Sequence, residues 1–507
     1  MTSPTPTPPV IVLSHRGPVS FRPGRGGRVA SRGAGGLVTA LAGIAEHLED
    51  LVWICAASTD EDRLVQKEAG TRPVRVSLTG QPRLLEHGDG PTGMNVRLID
   101  VPEQAHDDFY TVIANPLLWF LQHSMYGLSK APDITRRERD AFEQGYVVVN
   151  ELFADAVVEQ VRAQGGRALV MLQDYHFYLV AGTVRAACPE VQLLHFVHIP
   201  WPSPDMWRVL PSDMRERLLL GLLANDVVGF HTVHFARNFL LCAQELLGLS
   251  VDLEEMTVDV DGRTVRARHY PISIDVAQFE ELAASDAVVS QARQLHDELL
   301  EPGECQLVLR VDRTDPSKNI VRGFRAFAAM LEQHPELVGK VTFLALLQPS
   351  RQDVLEYSDY LSAIGAEVAR IGARYARSGY RPVELRLVED LPLAVAAYTL
   401  CDVLMVNALA DGMNLVAKEV TVVGKPDSVL ALSENTGAYA ELGSFAVTLE
   451  PFDIQQQADA LYEALTMPAE RRRSLHEAAA EVVRGNDVSR WLDEQLNDLA
   501  ALDRRAD

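Results

Sequence analysis

Cysteine is scarce and scattered: Cys55, Cys188, Cys242, Cys305 and Cys401 stand far apart in 507 residues, with no CxxC pair. That usage suits free thiols in a reducing compartment, so a cytoplasmic location is expected. Basic residues are outnumbered, 47 Lys and Arg against 70 Asp and Glu, for a formal net charge of -23. Attraction to phosphate over a distance needs a basic face, so neither nucleic acid nor an anionic membrane is an expected partner. An anionic substrate would have to be held by a few local cations. Long apolar runs are missing too, since nothing approaches the eighteen or so residues of a membrane helix. The stretch Thr2 to Pro9 lacks the basic start and apolar centre of a signal peptide. Neither a GxxxxGK[ST] loop nor a GxGxxG after a strand occurs, which removes the usual support for ATPase and dinucleotide readings. No internal repeat appears, and the one Gly- and Arg-rich loop is Arg22 to Gly36.

What is present reads as a folded α/β protein. Apolar residues make up 47% and charged residues 23%, the balance of an ordinary soluble domain, while 507 residues exceed one hydrophobic core. Short β-type runs, each followed by a helical stretch, recur at Val10 to Leu13, Ala168 to Leu172, Leu193 to Val197 and Val227 to Phe230. A second series follows at Leu307 to Val311, Val341 to Leu346, Val383 to Leu387, Val403 to Val406, Val429 to Leu432 and Phe445 to Leu449. Continuous apolar strands alternating with amphipathic helices imply parallel sheets, here doubly wound and built twice. The expected domains are 1–275, 276–485 and a C-terminal segment 486–507. Within that segment Trp491, Leu492, Leu496 and Leu499 form the apolar stripe of a helix that packs back on the first domain.

In open α/β sheets ligands bind beyond the carboxyl ends of the strands. Arg313 and Lys318 follow the first strand of the second series, five apart in a turn containing Pro316, and both can converge on one anion such as a departing diphosphate. The competing reading is a loop in which Asp312 and Asp315 pair locally with these cations. The run Asp411-Gly412-Met413-Asn414-Leu415-Val416-Ala417-Lys418-Glu419 follows Val403 to Val406, with Asp411 reading as the cap of a helix that stops at Gly424. Leu415 and Glu419 share a helical face, the helix start offers N–H groups to an anion or a sugar hydroxyl, and Glu419 can accept from a ribose diol. An ordinary capped helix with exposed Lys418 and Glu419 explains the pattern equally well. His198 and His195 are three apart near a strand end and point to opposite faces, so they do not share a metal. Asp174 and His176 lie two apart at another strand end, as a carboxylate and imidazole pair or as turn residues. Gly33, Gly35 and Gly36 precede the helix 37–47 and permit close approach of a phosphate. Tyr110, Trp119 and Tyr126 are either sugar-stacking rings or core.

Taken together and in order, these segments resemble the trehalose-6-phosphate synthases, retaining glycosyltransferases of the two-domain GT-B fold. The likeness runs from Val10 to about Leu499. Its most specific pieces are Ser14-His15-Arg16, Gly35-Gly36-Leu37, Gln173-Asp174-Tyr175-His176, His198-Ile199-Pro200, Arg313 with Lys318, Pro349-Ser350-Arg351 and the run Asp411 to Glu419. The resemblance implies two Rossmann-like domains facing across a cleft, with glucose moving from UDP- or GDP-glucose to glucose 6-phosphate. It implies that Gly35, Gly36, His198, Arg313, Lys318, Asp411, Gly412, Met413, Asn414, Leu415, Val416 and Glu419 bind the donor. Arg16, Tyr110, Trp119, Asp174 and Arg351 would bind the acceptor. His198, Asp174, Arg313, Lys318 and Asp411 would serve the reaction, with no metal and no other cofactor. The partners are then two small molecules, and the sequence is silent on oligomeric state, a homo-oligomer included. Where the family usually has tryptophan, histidine and arginine, this chain has Ala56, Gln173 and Ala410. The loop after Arg313 reads Thr-Asp-Pro-Ser-Lys-Asn in place of Leu-Asp-Tyr-Ser-Lys-Gly. Some of these changes are similar to the validamycin-type pseudo-glycosyltransferases, which couple an activated cyclitol to an aminocyclitol phosphate. The intact middle of the Asp411 run favours a true sugar donor, and a catalytically silent sugar-phosphate sensor ranks last because Arg313, Lys318, Asp411 and Glu419 are all kept.

Overall fold

The computed structural model describes residues 8–24, 27–33, 51–77, 83–84, 93–300, 305–350 and 355–503. Contacts divide the chain into one unit that runs to Tyr270 and resumes at Trp491, and a second from Pro271 to Arg490. The change of unit falls before the sequence-read boundary at 275 for a local reason. Ile272 and Ile274 are each 3% exposed. Their carbonyls accept hydrogen bonds from Lys418 Nζ at 2.8 Å and from the Val488 N–H at 3.1 Å, both in the second unit. Tyr270, by contrast, donates to Asp498 Oδ2 at 2.6 Å, within the first unit.

The first unit is built on β1 (Val10–Leu13), β2 (Val52–Ala56), β3 (Met94–Ile99), β4 (Leu169–Gln173), β5 (Gln192–Phe196) and β6 (Val227–Phe230). They lie side by side as β6-β5-β4-β1-β2-β3, all parallel, with further strands continuing the sheet at both edges. Every residue of β1, β2 and β4 is buried, as expected of parallel strands covered on both faces. The register pairs Leu13 with Leu172 and Gln173 with Phe196, which brings the ends of β1, β4 and β5 level. Between β3 and β4 the chain passes through a π-helical stretch, Asp108–Trp119, containing Pro116. A proline inside a helix deletes one backbone bond, and wide π turns recur at functional sites. This stretch carries Tyr110 and Trp119.

The second unit contains β7 (Gln306–Arg313), β8 (Val341–Gln348), β9 (Val383–Leu387), β10 (Val403–Val406), β11 (Val429–Ser433) and β12 (Val447–Leu449). Their order, β9-β8-β7-β10-β11-β12, is that of a Rossmann sheet, every pair parallel. The strand order reverses between β7 and β10, and the crevice beyond such a reversal is where open α/β sheets bind ligands. Two expectations shift here. Strand β7 continues through Asp312 and Arg313 instead of ending at Val311, and Phe445 lies in a 3-10 turn ahead of β12. Val308, Phe324, Phe327, Phe343, Met405 and Leu461 fill the core. Helices α1 (Leu391–Tyr398) and α2 (Leu415–Val423) flank the reversal, and α3 (Val488–Asp503) closes the chain. Trp491 of α3 packs its indole against Phe196 at 5.2 Å and 82°. Among the described residues no helix is long and apolar enough to cross a membrane.

Candidate functional site

At the end of β7 the two cations expected to hold an anion are already engaged. Arg313, with 42% of its side chain exposed, pairs with the fully buried Asp315 at 2.6 Å. Lys318 sits on a 3-10 turn begun by Pro316, and its Nζ lies 2.5 Å from Asp411 Oδ2 and 3.9 Å from Asp312 Oδ1. The local pairing weighed from the sequence is thus present for Asp312 and Asp315, and Asp411 joins it from the other side of the reversal. Burial works against the Lys318 ammonium, but Asp411 and Asp312 outweigh it and hold the pKa above its ordinary value. Arg313 is near enough to press on the same ammonium, so the two cations share a locale. Burial lifts the Asp312 carboxyl to about 6, against the pull of Lys318 and Arg310.

The turn bearing Lys318 is fixed from beneath. Arg310, fully buried, donates to Asp312 Oδ2 at 3.0 Å and to the Lys318 carbonyl at 2.9 Å, and its guanidinium also bonds Asn407. Asn319 takes the left-handed conformation, φ 59° and ψ 34°. Asparagine is the side chain that tolerates that region best after glycine. Its amide then donates to the carbonyls of Asn407 at 3.0 Å and Pro451 at 2.6 Å.

Across the reversal, the cap of α2 is Asn414 and not Asp411. Asn414, at φ 78°, accepts from the Ala417 N–H at 3.2 Å and donates to Asp411 Oδ2 at 3.0 Å. Capping is therefore left to an uncharged amide, and the Asp411 carboxylate is kept for Lys318. The helix does end at Gly424. Gly412 is pressed against the turn around Gly437, where a Cβ would come within 1.9 Å of the Gly412 carbonyl oxygen. Ala438 N–H bonds the Met413 carbonyl at 2.8 Å. The N–H groups of Leu415 and Val416 have no acceptor within the helix, and none among the described residues supplies one. Lys418 is not exposed: its ammonium is buried against Glu441 at 2.6 Å and the Ile272 carbonyl, which makes it a structural cation. Glu419, half-buried, receives the Tyr398 hydroxyl at 2.7 Å, and burial pushes its carboxyl up to about 7 against that hydrogen bond.

In the first unit the ends of β4 and β5 form a second cluster. Asp174 has φ 70° and ψ 175°. Its N–H bonds the Phe196 carbonyl at 2.7 Å, its carbonyl accepts from His195 Nε2 at 3.0 Å, and its Oδ1 accepts from the His198 N–H at 3.2 Å. His198 Nε2 meets Gln173 Oε1 at 2.8 Å. The imidazole is enclosed by Phe196 at 4.6 Å, His231 at 5.4 Å and Trp491 at 6.1 Å. Burial, then His231 and His195, hold its pKa well below the ordinary value, so it is neutral. His176 stacks on His15 at 4.9 Å and 8°. Tyr110 lies beside that pair, 5.1 Å from His15 and 5.5 Å from His106. Burial, with His106 and Arg16, lowers the His15 pKa to about 3. Arg16 is exposed on the turn after β1, whose shape is set by Ser14 Oγ donating to the Arg16 carbonyl at 2.6 Å and accepting from Trp53 Nε1 at 2.7 Å. Trp119 is 2% exposed and stacks on His123 at 4.0 Å. Tyr126 donates to the Pro116 carbonyl at 2.6 Å.

Gly35, Gly36, the helix 37–47 and Arg351 lie outside the described residues. Among those that are described, no group of three or more His, Cys, Asp or Glu is arranged to hold a metal ion. The structure thus gathers Arg313, Lys318, Asp411, the start of α2 and Glu419 in one unit, and Arg16, Tyr110, Asp174 and His198 in the other. Tyr398, Arg310 and His106 were not picked out from the sequence as site residues. The sequence carries no signal for the Tyr398–Glu419 and Arg310–Asn407 pairs, whose members are 21 and 97 positions apart.

A family model described as glycosyltransferase family 20 matches residues 9–501. The bifunctional trehalose-6-phosphate synthase/phosphatase of Thermoproteus tenax is 32% identical over 493 residues, covering 95% of this chain and 62% of that one. The chain therefore spans about three fifths of that relative's length. An α,α-trehalose-phosphate synthase (UDP-forming) from Burkholderia xenovorans, solved in complex with glucose-6-phosphate, superposes with a TM-score of 0.79 at 28% identity, covering 97% of this chain and 100% of that one. An E. coli structure described as trehalose-6-phosphate bound with UDP-2-fluoro glucose gives 0.80 at 27%, covering 97% and 98%. These neighbours are of the GT-B fold. With nearly its whole length inside the family model, the chain belongs to glycosyltransferase family 20.

Proposed function

We propose that this chain transfers glucose from a nucleotide-glucose donor to glucose 6-phosphate with retention of configuration, giving α,α-trehalose 6-phosphate. The observation that carries the reading is the cation pair at the reversal of the second sheet: Arg313 on the end of β7, and Lys318 held at 2.5 Å from Asp411. The carboxylates of Asp315, Asp312 and Asp411 pair with those cations, and an anionic ligand's oxygens would compete with them. A diphosphate arriving there would displace part of this pairing and leave Asp411 to accept from sugar hydroxyls. Fixed cations of this kind stabilise a departing diphosphate without reorganising, so no metal is part of the proposal.

UDP-glucose is the proposed donor, supported by the UDP-forming relatives, with GDP-glucose the competitor. The bond from the donor anomeric carbon to the diphosphate oxygen breaks, and the acceptor hydroxyl oxygen bonds that carbon on the same face. The acceptor proton passes to the leaving phosphate oxygen. Neutral His198 and Asp174 orient the sugars, and Arg16 with Tyr110 receives the sugar phosphate by a forked, charge-assisted contact beside an aromatic face. The proton NMR spectrum of the product tests this: two α-anomeric couplings are expected, and a β coupling at the transferred glucose would refute retention.

A further inference from the structure

We propose that Tyr398 is a positioning residue for the donor nucleotide: its hydroxyl ties one oxygen of Glu419, so that the carboxylate is presented in a fixed attitude to a ribose diol. The inference rests on reading Glu419 as the ribose contact. Tyr398 is the last residue of α1 and is fully buried, whereas Glu419 on α2 is only half-buried. The 2.7 Å bond between them joins an interior donor to a carboxylate near the surface. Among the described residues it is the one hydrogen bond made to Glu419, and it engages Oε2, leaving Oε1 as the free acceptor. A glutamate has three side-chain torsions and loses rotamer freedom on ordering. A buried tyrosine that has already fixed the carboxylate spares the ligand that cost.

The same bond bears on protonation. Burial raises the Glu419 carboxyl to about 7, and the Tyr398 hydroxyl, by favouring the charged form, keeps it from rising further. The other groups facing this pair are Asp312 from β7 and the Cys401 thiol after α1, both acting on Tyr398, while Lys418 on the same helix is committed to Glu441. Only the ionised carboxylate accepts from both ribose hydroxyls. A pKa raised in the folded protein means that this form accumulates as pH rises through about 7. Nucleotide affinity should therefore rise across the same interval.

The test is calorimetric titration of the whole chain, its Tyr398→Phe variant and its Glu419→Gln variant with UDP and 2′-deoxy-UDP between pH 5.5 and 8.5. The native chain should prefer UDP, and Glu419→Gln should lose that preference. If Glu419→Gln keeps both affinity and preference, the ribose reading itself fails. Tyr398→Phe should bind UDP about tenfold more weakly near neutrality, in line with losing one hydrogen bond to a charged group. Its affinity should recover at higher pH, with the midpoint displaced upward. An unchanged midpoint and preference in Tyr398→Phe, with Glu419→Gln impaired, would overturn the role given to Tyr398. The same holds if only the melting temperature falls.

Discussion

Lys318 and Lys418 are both surrounded by acidic groups, yet their surroundings assign them different work. Lys318 keeps 13% of its side chain exposed between the carboxylates of Asp312 and Asp411, whereas Lys418 keeps 1% and is locked between Glu441 and a backbone carbonyl. Lys318→Met should lower kcat/KM by about a hundredfold or more while leaving the fold intact, the scale seen when one preorganised charge-stabilising donor is removed. Lys418→Met should instead cost roughly 3–5 kcal/mol of stability, because it strands a buried carboxylate. Steady-state kinetics beside urea unfolding of the two variants separates the cases, and equal effects of both on kcat/KM at unchanged stability would contradict the assignment. The sequence alone made Lys318 legible, since a lysine after a strand end is already placed. It could not tell Lys418 from a surface lysine, because Glu441 and Ile272 reach it only through the fold.

At the scale of elements, the Lys318 turn depends on a residue that breaks the ordinary rules for backbone conformation. Asn319 is left-handed and anchors its amide to two carbonyls, so it does the conformational work of a glycine and also ties the turn to the chain beside it. Asn319→Gly should keep the turn and lose only the side-chain bonds, about 1–2 kcal/mol. Asn319→Ala loses the same bonds and adds the left-handed penalty of roughly 1–2 kcal/mol. Thermal unfolding should rank native above Gly above Ala, and an alanine variant as stable as the glycine one would show that the conformation is not a constraint. The limits of β1, β6, β9 and β10 match the expectation. Strands β2 and β3 went unread. The run at β2, Val-Trp-Ile-Cys-Ala, is apolar throughout and was still passed over, and β3 carries Asn95 and Arg97, a polar alternation that the covering elements absorb. Arg97 is buried on the Ala156 carbonyl at 2.9 Å. The cap of α2 was misplaced by three residues because Asp and Asn both cap well, and only the pairing of Asp411 with Lys318 decides between them.

For the whole molecule, two α/β units were foreseeable from repeated strand and helix alternation, whereas the final helix begins in one unit and finishes in the other. The units join at Tyr270 and Pro271, and again at Arg490 and Trp491. Trp491 explains why the final helix returns to the first unit: its indole covers Phe196 and reaches His198. The departures at Ala56 and Gln173 also fall in the first unit. Ala56 is buried at the end of β2, and Gln173 holds His198. Mass spectrometry of products from UDP-glucose and GDP-glucose, each offered glucose 6-phosphate, other sugar phosphates and an aminocyclitol phosphate, tests the central claim most directly. A disaccharide monophosphate formed from nucleotide glucose and glucose 6-phosphate, with release of nucleoside diphosphate, is the predicted result. Coupling confined to cyclitol substrates, or no diphosphate release from any pair, would contradict it.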